Sequence, residues 1–280
     1  MTALDNFASP VLSLEVVGQV ATLWLDRPEA RNAMGTDLWN DLPRACHAVS
    51  EEPDVRVLVI AARGPHFSVG LDLKSMGGLP TGAGGGQPRS QAAKARRART
   101  DLKHIQDSVT AIEQLAVPVI AAVHGYCIGG GVDLIAACDI RLASADAVFS
   151  VREAKVAIVA DLGSLQRLPR IISAGHLAEL AFTGKDIPAS RAAAIGLVND
   201  VYDDEASLMT AAYELAGEIA ANSPFAVQGT KAVLAANDGR TVAQGLEFVS
   251  VWNAGALESE DLAEAMTAFM EKRSPVFKGR

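Results

Sequence analysis

The chain has 280 residues, 49% of them hydrophobic and 21% charged, with a formal net charge of -8. That length buries a full core without disulfide staples, and Cys46, Cys127 and Cys138 form no CxxC pair, which points to free thiols in a reducing compartment. The acidic balance argues against nucleic acid as the main partner, and no apolar run reaches the ~18 residues of a membrane span, the best candidate being broken by Pro118.

The first residues lack a basic-then-apolar signal pattern, and Phe277-Lys-Gly-Arg280 is no peroxisomal address, so the expected location is cytoplasmic. Val11 to Val17 and Val20 to Leu25, joined at Gly18-Gln19, read as a β-hairpin closed by Arg27-Pro28. Asp37 to Ser50 carries helical spacing at Leu38, Leu42, Ala45 and Val49. Val55 to Ala61 is a β-branched run suited to a buried strand. Gly77 to Ser90, rich in glycine, predicts no regular structure, and a basic helix follows from Gln91 to about Leu115.

Pro118 to His124 reads as a second buried strand, Gly125 to Gly131 as a glycine-rich turn, Gly130 to Ala137 as a helix and Ile140 to Leu142 as a strand. From Leu162 the chain is mainly helical, interrupted by a short strand at Leu197 to Val201. Amphipathic helices are predicted near Glu205–Ala221, Pro224–Ala236, Val242–Ala254 and Glu258–Met270. The order predicts an α/β layered core over residues 1–204 and a helical C-terminal region over 205–280.

Several tempting motifs fail on spacing. Gly82-Ala-Gly-Gly-Gly86 lacks the closing glycine and the strand–helix setting of a dinucleotide site, and Gly184-Lys185-Asp186 lacks the hydroxyl of a phosphate-binding loop. His66-Phe-Ser68-Val-Gly70 has histidine where a nucleophile elbow needs glycine. The five histidines show no metal-ligand spacing, so no metal is expected.

Two glycine-bearing turns each follow a predicted buried strand: Phe67-Ser-Val-Gly70-Leu71-Asp72, and His124-Gly-Tyr-Cys-Ile-Gly129-Gly130-Gly131, which opens a helix. Such turns present free main-chain N–H groups, and two converging on one point form an oxyanion hole; tight turning alone would also explain the glycines. Three acids stand among apolar neighbours: Asp133, Glu153 and Asp161. Helix-end electrostatics for Asp133, and capping or ion pairs with Arg152, Arg167 or Arg170 for the other two, are structural alternatives. Beside an oxyanion hole, carboxyls with raised pKa values shuttle protons to and from an enolate.

Ile128-Gly-Gly-Gly-Val-Asp133-Leu-Ile-Ala-Ala-Cys-Asp139-Ile-Arg, with Phe67-Ser-Val-Gly-Leu-Asp72 upstream, resembles the crotonase (enoyl-CoA hydratase/isomerase) superfamily. The likeness runs from Asp26-Arg-Pro-Glu-Ala-Arg-Asn32 through Gln166-Arg-Leu-Pro169 to Ser223-Pro-Phe-Ala226. A typical hydratase has Glu where this chain has Asp133 and Gly where it has Asp161, and both departures resemble the Δ3,5-Δ2,4-dienoyl-CoA isomerases, as do Ala160 to Pro169 and Val249-Ser-Val-Trp-Asn253.

The resemblance implies a ClpP-like fold, a layered β-β-α superhelix core whose C-terminal helices serve trimerisation, with trimers commonly paired into hexamers. It implies that the Leu71 and Gly130 N–H groups hold a thioester oxygen, that Glu153 takes a proton from C2, that Asp161 delivers one to C6, and that Asp133 tunes the pair. Ser68, Gly70, Asp72, Gly131 and Arg31 would meet the acyl-CoA substrate. No cofactor is implied, coenzyme A being part of that substrate. The competing readings are a hydratase acting on a 2-enoyl-CoA and a non-catalytic scaffold binding CoA or RNA. The basic stretch Arg89, Lys94, Arg96, Arg97, Arg99, Lys103 is expected to be a solvated helix face, with contact to the CoA phosphates or to a nucleic acid as the alternatives.

Overall fold

The computed structural model describes residue 4 and residues 6–72 and 90–280. The glycine-rich stretch 77–89, expected to be irregular, lies outside the described residues. The hairpin forms as predicted: β1 (Leu12–Val17) pairs antiparallel with β2 (Val20–Leu25) across a two-residue loop in which Gly18 has φ 60°. A parallel series extends it through β3 (Val57–Ala62), β4 (Val119–Val123), β6 (Ile140–Ser144) and β9 (Asp200–Tyr202), giving the sheet order β1-β2-β3-β4-β6-β9. A second sheet of three short strands joins β5 (Tyr126–Ile128), β7 (Val148–Ser150) and β8 (Ile187–Pro188). The predicted turn from Gly125 to Gly131 thus contains a strand.

Alternation along β3 explains the layering. Leu58, Ile60 and Ala62 enter one core with Trp39 and Leu42 of α1 (Thr36–Ser50), Val109 and Ile112 of α2 (Gln91–Glu113), and Leu134 and Ile135 of α3 (Gly130–Ala136). Val57, Val59 and Ala61 point to the opposite face and pack on Leu208, Ala212 and Ala216 of α7 (Glu205–Ala220). The central strands are buried on both faces, as their unbroken apolar runs require. This is the α/β layered architecture expected from the sequence.

The short helices α4 (Ser164–Arg167), α5 (Ala174–Thr183) and α6 (Ala189–Ala194) follow, α4 against α3 and α6 against β7, β8 and β9. Beyond α7 come α8 (Pro224–Ala236), α9 (Val242–Ala256) and α10 (Glu260–Glu271). Side-chain caps from Asp204, Thr241 and Ser259 start α7, α9 and α10, each accepting a first-turn N–H.

Candidate active site

The two glycine turns meet. Asn32, held at φ 52°, accepts the Arg27 N–H and donates to the carbonyls of Arg63 and His66, bracing the first turn from behind. The N–H groups of Phe67 and Ser68 donate to the carbonyls of His124 and Tyr126, and Ile128 N–H returns to Ser68. Gly70 adopts φ 82°, and a Cβ there would stand 2.6 Å from the Ile128 carbonyl oxygen, so only glycine lets the turns touch.

Each turn leaves one amide over. The Gly70 carbonyl accepts from Met34, and Asp72 N–H donates to the Met34 carbonyl. The Leu71 N–H between them has no acceptor among the described residues. Gly130 N–H opens α3, has no intrahelical partner, and finds no other acceptor among those residues.

Around these amides stand the acids. Asp133, one turn into α3, is 1% exposed; its Oδ1 accepts the Ser164 N–H at 2.5 Å, while Oδ2 is buried with no partner among the described residues. Glu153 opens the 3-10 turn Glu153–Val156 with Oε2 likewise buried and unpartnered. Its Oε1 reaches within 3.2 Å of where a Cβ on Gly129 would stand, next to the Gly130 amide. Half-buried Asp161 lies on the loop before α4, whose main-chain oxygen at that residue accepts from the Gln106 side chain at 2.8 Å.

Burial pushes the Asp133 carboxyl up to about 7, the nearby charge of Glu153 adds to the rise, and the Ser164 amide opposes it. Glu153 is raised first by burial, with the Asp161 charge adding, and Asp161 is itself raised by burial. The charges of Glu153 and Asp161 thus both act on Asp133, and that of Asp161 on Glu153. The arginines that offered a structural alternative pair elsewhere: Arg152 with Asp186, Arg167 with Glu113 at 2.9 Å, and Arg170 with Asp238 at 2.5 Å. Nor does the first turn of α3 alone account for Asp133, whose partner is an amide of another segment.

Of the remaining candidates, Ser68 is buried and its hydroxyl donates to the Asn32 carbonyl while accepting the Gly70 N–H. Asp72 holds Arg27 at 2.8 Å, Gly131 packs against Ser68 and Cys127, and Arg31 is exposed in the left-handed region. Asn32 and Ser164 were not singled out by sequence; the one available signal was Asn32's tolerance of positive φ. The basic helix α2 exposes its first turns, with Arg97–Asp101 and Lys103–Asp107 pairs along it. A cavity of about 1020 Å³ lies away from the acids, between the end of α3 and α8–α10, where Cys138, Lys231, Phe225 and Trp252 line it.

The family profile described as enoyl-CoA hydratase/isomerase matches residues 15–280. The chain is 44% identical to a peroxisomal Δ3,5-Δ2,4-dienoyl-CoA isomerase of Arabidopsis thaliana, over 91% of either protein. It is 42% identical to the mitochondrial enzyme of the same name from Dictyostelium discoideum, over 92% of this chain and 87% of that one. Among solved structures, an enoyl-CoA hydratase from Bacillus anthracis superposes with a TM-score of 0.87 at 31% identity, covering 96% of this chain and all of the other.

Proposed function

The chain belongs to the enoyl-CoA hydratase/isomerase family, and from that membership we infer that it is a Δ3,5-Δ2,4-dienoyl-CoA isomerase. The reading is carried by the third carboxyl. Hydration needs two carboxylates sharing one water, whereas moving two double bonds needs acid and base groups spread along an extended acyl chain. Asp161 beside Glu153 and Asp133 supports the second, and relatives bearing the isomerase name are 42–44% identical. Asp133 also counts against a hydratase: it is one methylene shorter than Glu, and ~1 Å of misplacement can cost about a hundredfold.

In the proposed reaction the Leu71 and Gly130 N–H groups receive the thioester oxygen. Ionised Glu153 removes a proton from C2, and the electron pair spreads into a dienolate whose negative oxygen those amides hold. Protonated Asp161 delivers its proton to C6, leaving double bonds at C2 and C4. The proton on Glu153 then returns to Asp161 before the next turnover. Raised pKa values suit both groups, since one must give and one must take a proton near neutral pH. Asp133 orients the pair and tunes it electrostatically. No metal or redox group enters this scheme, and coenzyme A arrives with the substrate.

We place the enzyme in a reducing compartment, the cytoplasm by default, although the two relatives' names place them in the peroxisome and the mitochondrion. Among the described residues no helix is long and apolar enough to cross a membrane. A homotrimer, paired into a hexamer, is the proposed assembly, with residues 205–280 as its trimerisation region. Val242, Val251, Phe269 and Met270, 69–81% exposed on α9 and α10, support it. The deciding assay offers a 3,5-dienoyl-CoA and follows the near-ultraviolet band of the 2,4-dienoyl product. Asp161→Asn should slow that conversion by about a hundredfold or more with folding intact. Brisk hydration of a 2-enoyl-CoA without the dienoyl band would overturn the reading.

A further inference from the structure

Ser164 is the first residue of α4, and its amide is committed to Asp133 Oδ1 at 2.5 Å. Its hydroxyl, three bonds from that nitrogen, is buried in a residue 1% exposed and has no partner among the described residues; Asp133 Oδ2 is in the same state. One orphan donates and the other accepts. Native proteins rarely bury a hydroxyl without a partner, because its hydration is lost with nothing in return, and an alanine would pack the same space without that cost.

The loop that carries Ser164 is pinned to α2. Arg167 donates to the Leu162 carbonyl at 3.1 Å, and its other nitrogens reach Glu113 and Thr110. Its guanidinium lies so close to Gly163 that a Cβ there would collide with it. Gln106 holds the Asp161 carbonyl of the same loop. The serine is therefore fixed against α3, and rotation of one side-chain torsion is the motion left to its hydroxyl.

We propose that Ser164 is a positioning residue whose hydroxyl turns onto the Asp133 carboxyl when that group carries its negative charge, joining the amide already bound there. For its effect on turnover, the proposal rests on the isomerase reading. The titratable groups facing that carboxyl are Glu153 from the 3-10 turn and Asp161 from the loop before α4, whose charges oppose its ionisation, and the Cys127 thiol from β5, which burial keeps neutral. A donor to the charged form works against both carboxylates.

The test compares wild type, Ser164→Ala and Ser164→Thr by carbon NMR of carboxyl-labelled aspartate, with Asp133→Asn assigning the resonance, beside pH profiles of 3,5-dienoyl-CoA conversion. Losing the donor should move the Asp133 midpoint upward by about half a unit to one unit, carrying the matching limb of the rate profile with it, and threonine should restore both. Ser164→Cys keeps the volume with a weak donor and repeats the alanine test should that variant fail to fold. A midpoint that stays put while thermal stability drops would make Ser164 a packing residue. An unmoved midpoint with a raised KM would put the hydroxyl on the substrate instead; either result overturns the proposal. If wild type fails to convert the dienoyl-CoA, the isomerase reading falls, while the NMR midpoint still decides the role of Ser164.

Discussion

The strand core and the last three helices are built on opposite terms. Every residue of β3 and β4 is buried, each face of the sheet against its own partner layer. In α8 the one buried residue is Gly229, in α10 there are two, Asp261 and Ala268, while Phe269 and Met270 stand about 80% exposed. What ties this region down is polar. The Asp261 carboxylate accepts from Ser223 and from the amides of Lys278 and Gly279, and Arg56 donates to the carbonyls of Ala220 and Phe277. An amphipathic stripe thus states which face of a helix is apolar without stating whether its mate lies in the same chain.

The sharpest break of that contrast is a core deletion. Ile60 is fully buried between Leu23 and Ala121 on the adjoining strands, so Ile60→Ala should lower the unfolding free energy by about 2–5 kcal/mol, read by urea titration. A loss near zero would mean that the sheet is not the stability core.

Smaller, and opposite in sign, is the effect of relieving the core's own exception. The folded state raises the Asp133 carboxyl from 3.8 to about 7, so it holds that proton more tightly than the unfolded chain does. Stability from this group is complete below about pH 4 and is lost as pH rises toward 7. Asp133→Asn removes the titration. It should therefore unfold later than wild type at pH 8, by on the order of 2 kcal/mol, with the gap closing toward pH 4.5. Equal differences at both pH values in thermal scans would refute the buried charge.

Much of this was legible in the residues. Helices and central strands carry periodicities long enough to read, and their observed bounds fall within a few residues of expectation. Tyr126–Ile128, Val148–Ser150 and Ile187–Pro188 were not legible, because strands of two or three residues hold no period. The predicted strand at Leu197 to Val201 forms at Asp200–Tyr202, where β6 supplies the partner. Asp133, Glu153 and Asp161 each stood out as a charge among apolar neighbours, although Arg152 and Lys155 beside Glu153 left an ion pair open as its explanation. Their coupling through space, and the amide of Ser164 that holds one of them, depend on where the layers bring distant segments together. Local sequence carries no trace of that.

The smallest stability effect belongs to the exposed helices, and there the contrast is most informative. Phe269 is 80% exposed on α10, with Met266 and Met270 also open at 65% and 79%. Within one chain it touches little, so Phe269→Ser should change the unfolding free energy of the isolated subunit by no more than about 0.5 kcal/mol. If a second copy covers this stripe, the same change should lower the solution mass measured by light scattering, and dilution should lower it further by mass action. An unchanged mass would leave the stripe open in the assembled protein and remove the support it lends to a trimer. A loss of several kcal/mol at unchanged mass would show instead that the helix packs on its own core, and the two regions would then be built alike.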